Sequence, residues 1–115
     1  MRTRFWSRLD ELINSQQIVI DRPKNSRHPR WPQIVFPLDY GYLEGTSSMD
    51  GGGIDLWVGS AAHRDLTAIM VTLDTKKKDS EIKLIIGCTE EETEIIERFH
   101  NRYYQSGILI RRPVK

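Results

Sequence analysis

Phe36-Pro37-Leu38-Asp39-Tyr40-Gly41-Tyr42-Leu43-Glu44-Gly45-Thr46 is followed, after three residues, by Asp50-Gly51-Gly52-Gly53-Ile54-Asp55-Leu56-Trp57-Val58. Aromatic rings, glycine turns and carboxylates are packed into one short stretch. Three consecutive glycines open backbone conformations closed to other residues. Asp50 and Asp55 bracket them, and Ile54 to Val58 reads as a strand. A tight turn with a carboxylate on each side suits a hard cation, which takes several oxygen ligands from a compact region. A glycine turn with solvated aspartates accounts for the same residues on purely local grounds.

Outward from that stretch, the N-terminal side opens with a helix over residues 3–14. Phe5, Trp6, Leu9, Leu12 and Ile13 recur at helical spacing, opposite Arg4, Ser7, Arg8, Asp10 and Glu11. This face packs on the core or docks on a partner subunit. Gln17 to Asp21, with Ile18, Val19 and Ile20, is a short strand. Asp21 to Pro32 then carries three prolines and the side chains of Arg22, Lys24, Arg27, His28 and Arg30. It reads as an irregular cationic loop, either simply solvated or a collar around a polyanion, since arginine forks match phosphate oxygens.

On the C-terminal side, Leu66 to Leu73 is β-rich and ends on Asp74. Lys76, Lys77 and Lys78 between Asp74 and Asp79 read as an exposed hairpin tip. Lys83 to Cys88 is a further strand. Cys88 has no helix terminus or basic partner to activate it and reads as a small buried or edge residue. Thr89-Glu90-Glu91-Glu92 is a capping box that starts a helix with carboxylates at its positive end. That helix is expected to run to about Tyr104 with Ile95, Ile96, Phe99 and Tyr103 buried, Gly107 stopping it and Ile108 to Ile110 closing the chain as a strand.

Composition bounds the class. One domain spans 1–115, with 38% apolar and 29% charged residues. A net charge of +1 gives no global signal for nucleic acid or an anionic membrane. No apolar run approaches the ~20 residues of a membrane span, and no signal peptide is evident. The single cysteine fits a reducing cytoplasm. Strands do not alternate regularly with helices, so the expected class is mainly β (α+β), a small antiparallel sheet or barrel with packed helices. If Asp50, Asp55, Asp74 and Asp79 meet in one cleft, their repulsion calls for divalent cations, with Mg²⁺ the usual occupant beside a phosphate. The three histidines have no metal-ligand spacing, and no phosphate-cradling glycine loop, dinucleotide fingerprint or serine elbow is present.

The run Phe-Pro-Leu-Asp-Tyr-Gly-Tyr-Leu-Glu-Gly-Thr followed by Asp-Gly-Gly-Gly-Ile-Asp resembles the soluble (family I) inorganic pyrophosphatases, whose pattern is Tyr-Pro-x-Asp/Asn-Tyr-Gly, a threonine, then Asp-Gly-Asp-Pro-x-Asp. The likeness extends over roughly residues 17–104. Ile20-Asp21-Arg22-Pro23 looks like the family's early strand. Asp74 and Asp79, five apart, match its second aspartate pair, with Lys83 about two residues later than usual.

The resemblance implies an OB-like five-stranded β-barrel with flanking helices and Mg²⁺-dependent hydrolysis of pyrophosphate, with Mn²⁺ as a second metal to test. It makes Asp50, Asp55, Asp74 and Asp79 metal ligands, with Asp50, Asp55 and Asp79 catalytic through the metal. Arg30, Tyr40, Lys83, Tyr103 and Asp21 become substrate or active-site contacts. It also implies a homo-oligomer. The departures fall on function. The family's middle aspartate, which activates water, is Gly52, and its proline is Gly53. A lysine is Tyr104, a glutamate is Pro32, a tyrosine is Phe36, and the segment from Trp31 to Phe36 is too short for the family's hairpin. The competing expectation is a non-catalytic phosphate-binding or interaction protein on the same scaffold.

Overall fold

The computed structural model describes residues 2–114. An N-terminal helix α1 (Arg2–Ser15) is followed by strands β1 (Ile18–Arg22), β2 (Asp39–Leu43), β3 (Ile54–Val58), β4 (Leu66–Asp74) and β5 (Asp79–Ile86). Helix α2 (Glu90–Phe99) and strand β6 (Gln105–Arg111) complete the chain. The strands form one mixed sheet in the order β1-β2-β3-β5-β4-β6. Neighbours are antiparallel except β3 and β5, which run parallel with Asp55 opposite Lys83 and Trp57 opposite Ile85. The protein is therefore α+β, with six strands, one more than the resemblance implies. Among the described residues β1 and β6 are the two edges of an open ladder.

Both faces of the central strands are buried, which is why Ile54 to Val58 and Lys83 to Ile86 read as nearly continuous apolar runs. Leu56, Val58, Leu84 and Ile86 face one cluster, which Trp6 and Leu9 of α1 cover. Trp57, Met70 and Ile85 face the other, with Phe36, Leu38 and Ile96 of α2. Gly41 is forced by the β1–β2 approach, since a Cβ there would lie 1.8 Å from the Val19 carbonyl oxygen.

Helix α2 starts as expected. Thr89 Oγ1 accepts from Glu92 N–H and Glu92 accepts from Thr89 N–H. It ends earlier than expected, at Phe99 with His100 as its cap. Tyr103 therefore lies beyond the helix, with φ +58° and 74% exposure, rather than in the buried stripe. Gly107 is not the helix stop. It sits inside β6, where a Cβ would meet the Met70 methyl at 2.5 Å. No described helix is long and apolar enough to cross a membrane.

Candidate functional site

Three neighbouring strands build the centre of the site. Lys83 of β5 is only 5% exposed. Its Nζ donates to Asp55 Oδ2 on β3 at 2.7 Å, Glu81 Oε1 on β5 at 2.9 Å and the Tyr40 hydroxyl on β2 at 3.0 Å. An ammonium has three donors, and each finds an acceptor. Burial disfavours the charge, but the Tyr40 oxygen and the Asp55 carboxylate outweigh it and hold the ammonium above the ordinary lysine range. Burial also pushes the Tyr40 phenol well up, so it keeps its proton at neutral pH.

The glycine-rich loop adds a further carboxylate. Gly52 N–H donates to Asp50 Oδ1 at 2.9 Å, and Ser48 Oγ lies 2.8 Å from the same oxygen. These bonds, the backbone one first, hold the Asp50 carboxyl below its usual range. Ser48 Oγ also lies 3.4 Å from Glu81 Oε2, so it links the loop to the Lys83 group. One cation thus stands among three carboxylates. Glu81 and Ser48 were not anticipated. The alternation Asp79-Glu81-Lys83, which puts all three on one face of a strand, was the available signal for Glu81.

Asp74 and Asp79 lie elsewhere. They are cross-strand partners at the base of the β4–β5 hairpin. Asp74 Oδ1 accepts the backbone N–H groups of Lys76 and Lys77, both at 2.9 Å, and so shapes the turn. Asp79 is four residues from Lys83, about 13 Å along the strand. The expected four aspartates are thus split between the Lys83 group and the hairpin. Among the described residues no three carboxylate, imidazole or thiolate side chains converge to hold a metal ion as they stand. A hydrated Mg²⁺ needs only one or two protein carboxylates, and Asp50, Asp55 and Glu81 have the right oxygen chemistry for it.

Over this floor stands a basic wall. His28 stacks on Phe36 (6.2 Å between centroids, 13° between planes), and Phe36 packs 5.3 Å from Tyr40. His28 Nδ1 accepts the N–H groups of Arg30 and Trp31, both at 3.1 Å, which fixes the loop's turn. Burial, then Arg22, Lys77 and Arg30, lower the His28 pKa and favour this neutral acceptor. Arg30 and Lys76 both lie over the Trp31 ring, at 5.0 and 5.5 Å. The basic loop and the lysine hairpin thus meet at the Trp31 ring. Asp21 sits exposed at the β1 bulge, and Tyr103 pairs with Arg102 at 5.8 Å; neither belongs to the Lys83 hydrogen-bonded group.

Two groups are structural. His100 Nε2 accepts from the Trp57 indole N–H at 2.9 Å, and its Nδ1 lies 2.6 Å from Gln105 Oε1. Burial lowers its pKa to about 4, so it is neutral. Burial pushes the Cys88 thiol up to about 12, which agrees with an unreactive packed cysteine. No protein-family model and no curated protein sequence matches the chain.

Proposed function

We propose that the protein is a pyrophosphatase-like hydrolase that cleaves inorganic pyrophosphate or a related phosphoanhydride with Mg²⁺, or with Mn²⁺ in its place. The observation that carries this reading is the Lys83–Tyr40–Asp55–Glu81 group lying one aromatic ring from a wall of arginine and lysine. That combination offers acidic oxygens for a hard cation and basic groups for phosphoryl oxygens. The sequence resemblance adds to it. An OB-like barrel is the finer form of the fold under this reading, and the cytoplasm is its compartment.

Under this reading one or two of Asp50, Asp55 and Glu81 would hold a hydrated metal ion, with Asp74 and Asp79 farther out at the hairpin. Mg²⁺, when bound, polarises the phosphoryl oxygens and offsets their charge. The protonated Tyr40 hydroxyl is a donor for those oxygens, the Lys83 ammonium adds positive charge behind it, and Arg30 offers a fork to the far phosphate. Gly52 leaves no carboxylate where the resemblance places the water-activating base, so turnover is slow, by about 10²–10⁴-fold relative to a site with a positioned base.

The decisive measurement is phosphate release from pyrophosphate with Mg²⁺ and with Mn²⁺, for wild type beside Asp55→Asn. Release that disappears in the variant supports the reading; equal release from both proteins, or none with either metal, overturns it. One observation favours a second reading. Lys83 already pairs with both Asp55 and Glu81, which suits a protein that binds a phosphorylated ligand without cleaving it. Calorimetry showing metal-dependent pyrophosphate binding with no released phosphate is the result that selects it.

A further inference from the structure

The cationic wall reaches beyond what a diphosphate needs. Two segments far apart in sequence, residues 22–31 and the hairpin 74–79, meet there. Lys76 lies over both Trp31 (5.5 Å) and Tyr104 (5.3 Å), so Arg30, Trp31, Lys76 and Tyr104 alternate charge and ring in a row. Arg22 lies 6.0 Å over Phe36 and is the cross-strand partner of Tyr40. Among the described residues the ion pairs use Arg8, His63, Lys83, Arg111 and Arg112, and none of them includes Arg22, Arg30, Lys76 or Lys77. Lys77 follows Lys76 in the same hairpin, and Asp74 Oδ1 accepts the backbone N–H of both.

Unpaired cations held side by side repel one another, and an anion that spans them relieves the repulsion. The rings hold Lys76 in place by cation–π attraction, so part of its ordering is already done before any ligand arrives. Overall charge is only +1, so the cluster is a local asymmetry and not a generally basic surface.

We infer that Arg22, Lys76 and Lys77, with the Trp31 and Tyr104 rings that hold Lys76, form a second anion subsite continuous with the proposed one. It takes the third and later phosphoryl groups of a linear phosphate chain. This rests on the phosphoanhydride reading for the orientation of the chain but not for the binding itself. The same chemistry is offered by inorganic tripolyphosphate and by a nucleoside triphosphate, and the test separates them.

The test is calorimetric titration of the full chain with pyrophosphate, inorganic tripolyphosphate and ATP, each with Mg²⁺. The variant is Lys76→Met/Lys77→Met, which keeps an apolar side chain beside the Trp31 and Tyr104 rings at position 76 and leaves the backbone bonds to Asp74. Charge-assisted contacts to the extra phosphoryl group make tripolyphosphate bind about tenfold tighter than pyrophosphate to wild type. In the variant that preference disappears, because tripolyphosphate loses far more affinity than pyrophosphate does. Arg22→Gln is the second variant and weakens tripolyphosphate in the same way. ATP binding as tightly as tripolyphosphate identifies a nucleotide chain; ATP binding more weakly identifies the inorganic one. Equal wild-type affinities for pyrophosphate and tripolyphosphate, or a preference that survives in the double variant, overturn the subsite. Phosphate release measured on the same samples keeps the two ideas apart. Release without a chain-length preference removes only the subsite, and a preference without release removes only the hydrolase.

Discussion

At the scale of single residues, Lys83 and His100 are buried polar groups that stay for opposite reasons. Lys83 remains charged because three oxygens surround its nitrogen. Lys83→Met leaves Asp55 and Glu81 facing each other with no cation between them. Breaking such a buried pair typically costs about 3–5 kcal/mol, and adding Asp55→Asn and Glu81→Gln recovers much of it. Urea unfolding of the single and triple variants measures both, and a single variant as stable as wild type contradicts the account.

His100 stays neutral. Its folded pKa, about 4, lies below its ordinary 6.5, so the unfolded chain takes up the proton first as pH falls. The stability linked to this group is complete above about pH 6.5 and is lost progressively toward pH 4, by about 3 kcal/mol in all. Unfolding midpoints from pH 7 down to pH 4 follow this loss. His100→Gln, which keeps an acceptor for the Trp57 indole, flattens the slope in that window; an unchanged slope removes His100 as its source.

Among the elements, the β2–β3 loop and the β4–β5 hairpin carry the variable chemistry. In the loop, Gly53 has no room for a side chain, since a Cβ would lie 2.7 Å from the Tyr42 ring and 2.8 Å from the Leu43 carbonyl oxygen. Gly52 is different. A Cβ there meets only Asp50 Oδ1, at 3.3 Å, and its φ is outside the left-handed region. Gly52→Asp is therefore accommodated with a small shift and sets a new carboxylate beside Asp50. Under the hydrolase reading it raises metal-dependent phosphate release by about 10²-fold or more. A steady-state rate no higher than wild type's argues that the missing carboxylate is not what limits turnover.

The hairpin shows why spacing alone does not separate Asp79 from Glu81. Asp79 and Glu81 share a face, and period-two spacing cannot say which of them meets a partner strand's group. The β3–β5 register decides it by setting Asp55 opposite Lys83, which brings Glu81 into the group and leaves Asp79 near the tip. That register joins strands separated by all of β4, so no local pattern encodes it. The α2 terminus was lost similarly. The spacing of Phe99 and Tyr103 continues a helical stripe, but His100 turns inward to Trp57 and Gln105, and β6 claims the residues that follow. The Thr89 capping box and the strand cores were legible because four or five adjacent residues specify them.

Across the whole molecule, the floor of the candidate site and the mechanical centre of the fold are the same strands. β5 is held by β3 on one side and β4 on the other, and its inner residues Leu84, Ile85 and Ile86 are fully buried. Because β3 and β5 are parallel and non-consecutive, their pairing closes only when β4 is also in place. The backbone amides beside Lys83 should thus exchange with solvent only through global opening, at the protein's slowest rate, while those of the β2–β3 loop exchange early. Native-state hydrogen exchange read by mass spectrometry distinguishes the two segments, and rapid exchange in β5 contradicts this assignment. Natural drift in such a molecule would be channelled. Substitutions that retune ligand choice can accumulate in the loop and the hairpin, whereas Tyr40, Asp55 and Lys83 can change only at the risk of losing the folded chain, so descendants of this sequence should diversify at the rim and keep one floor.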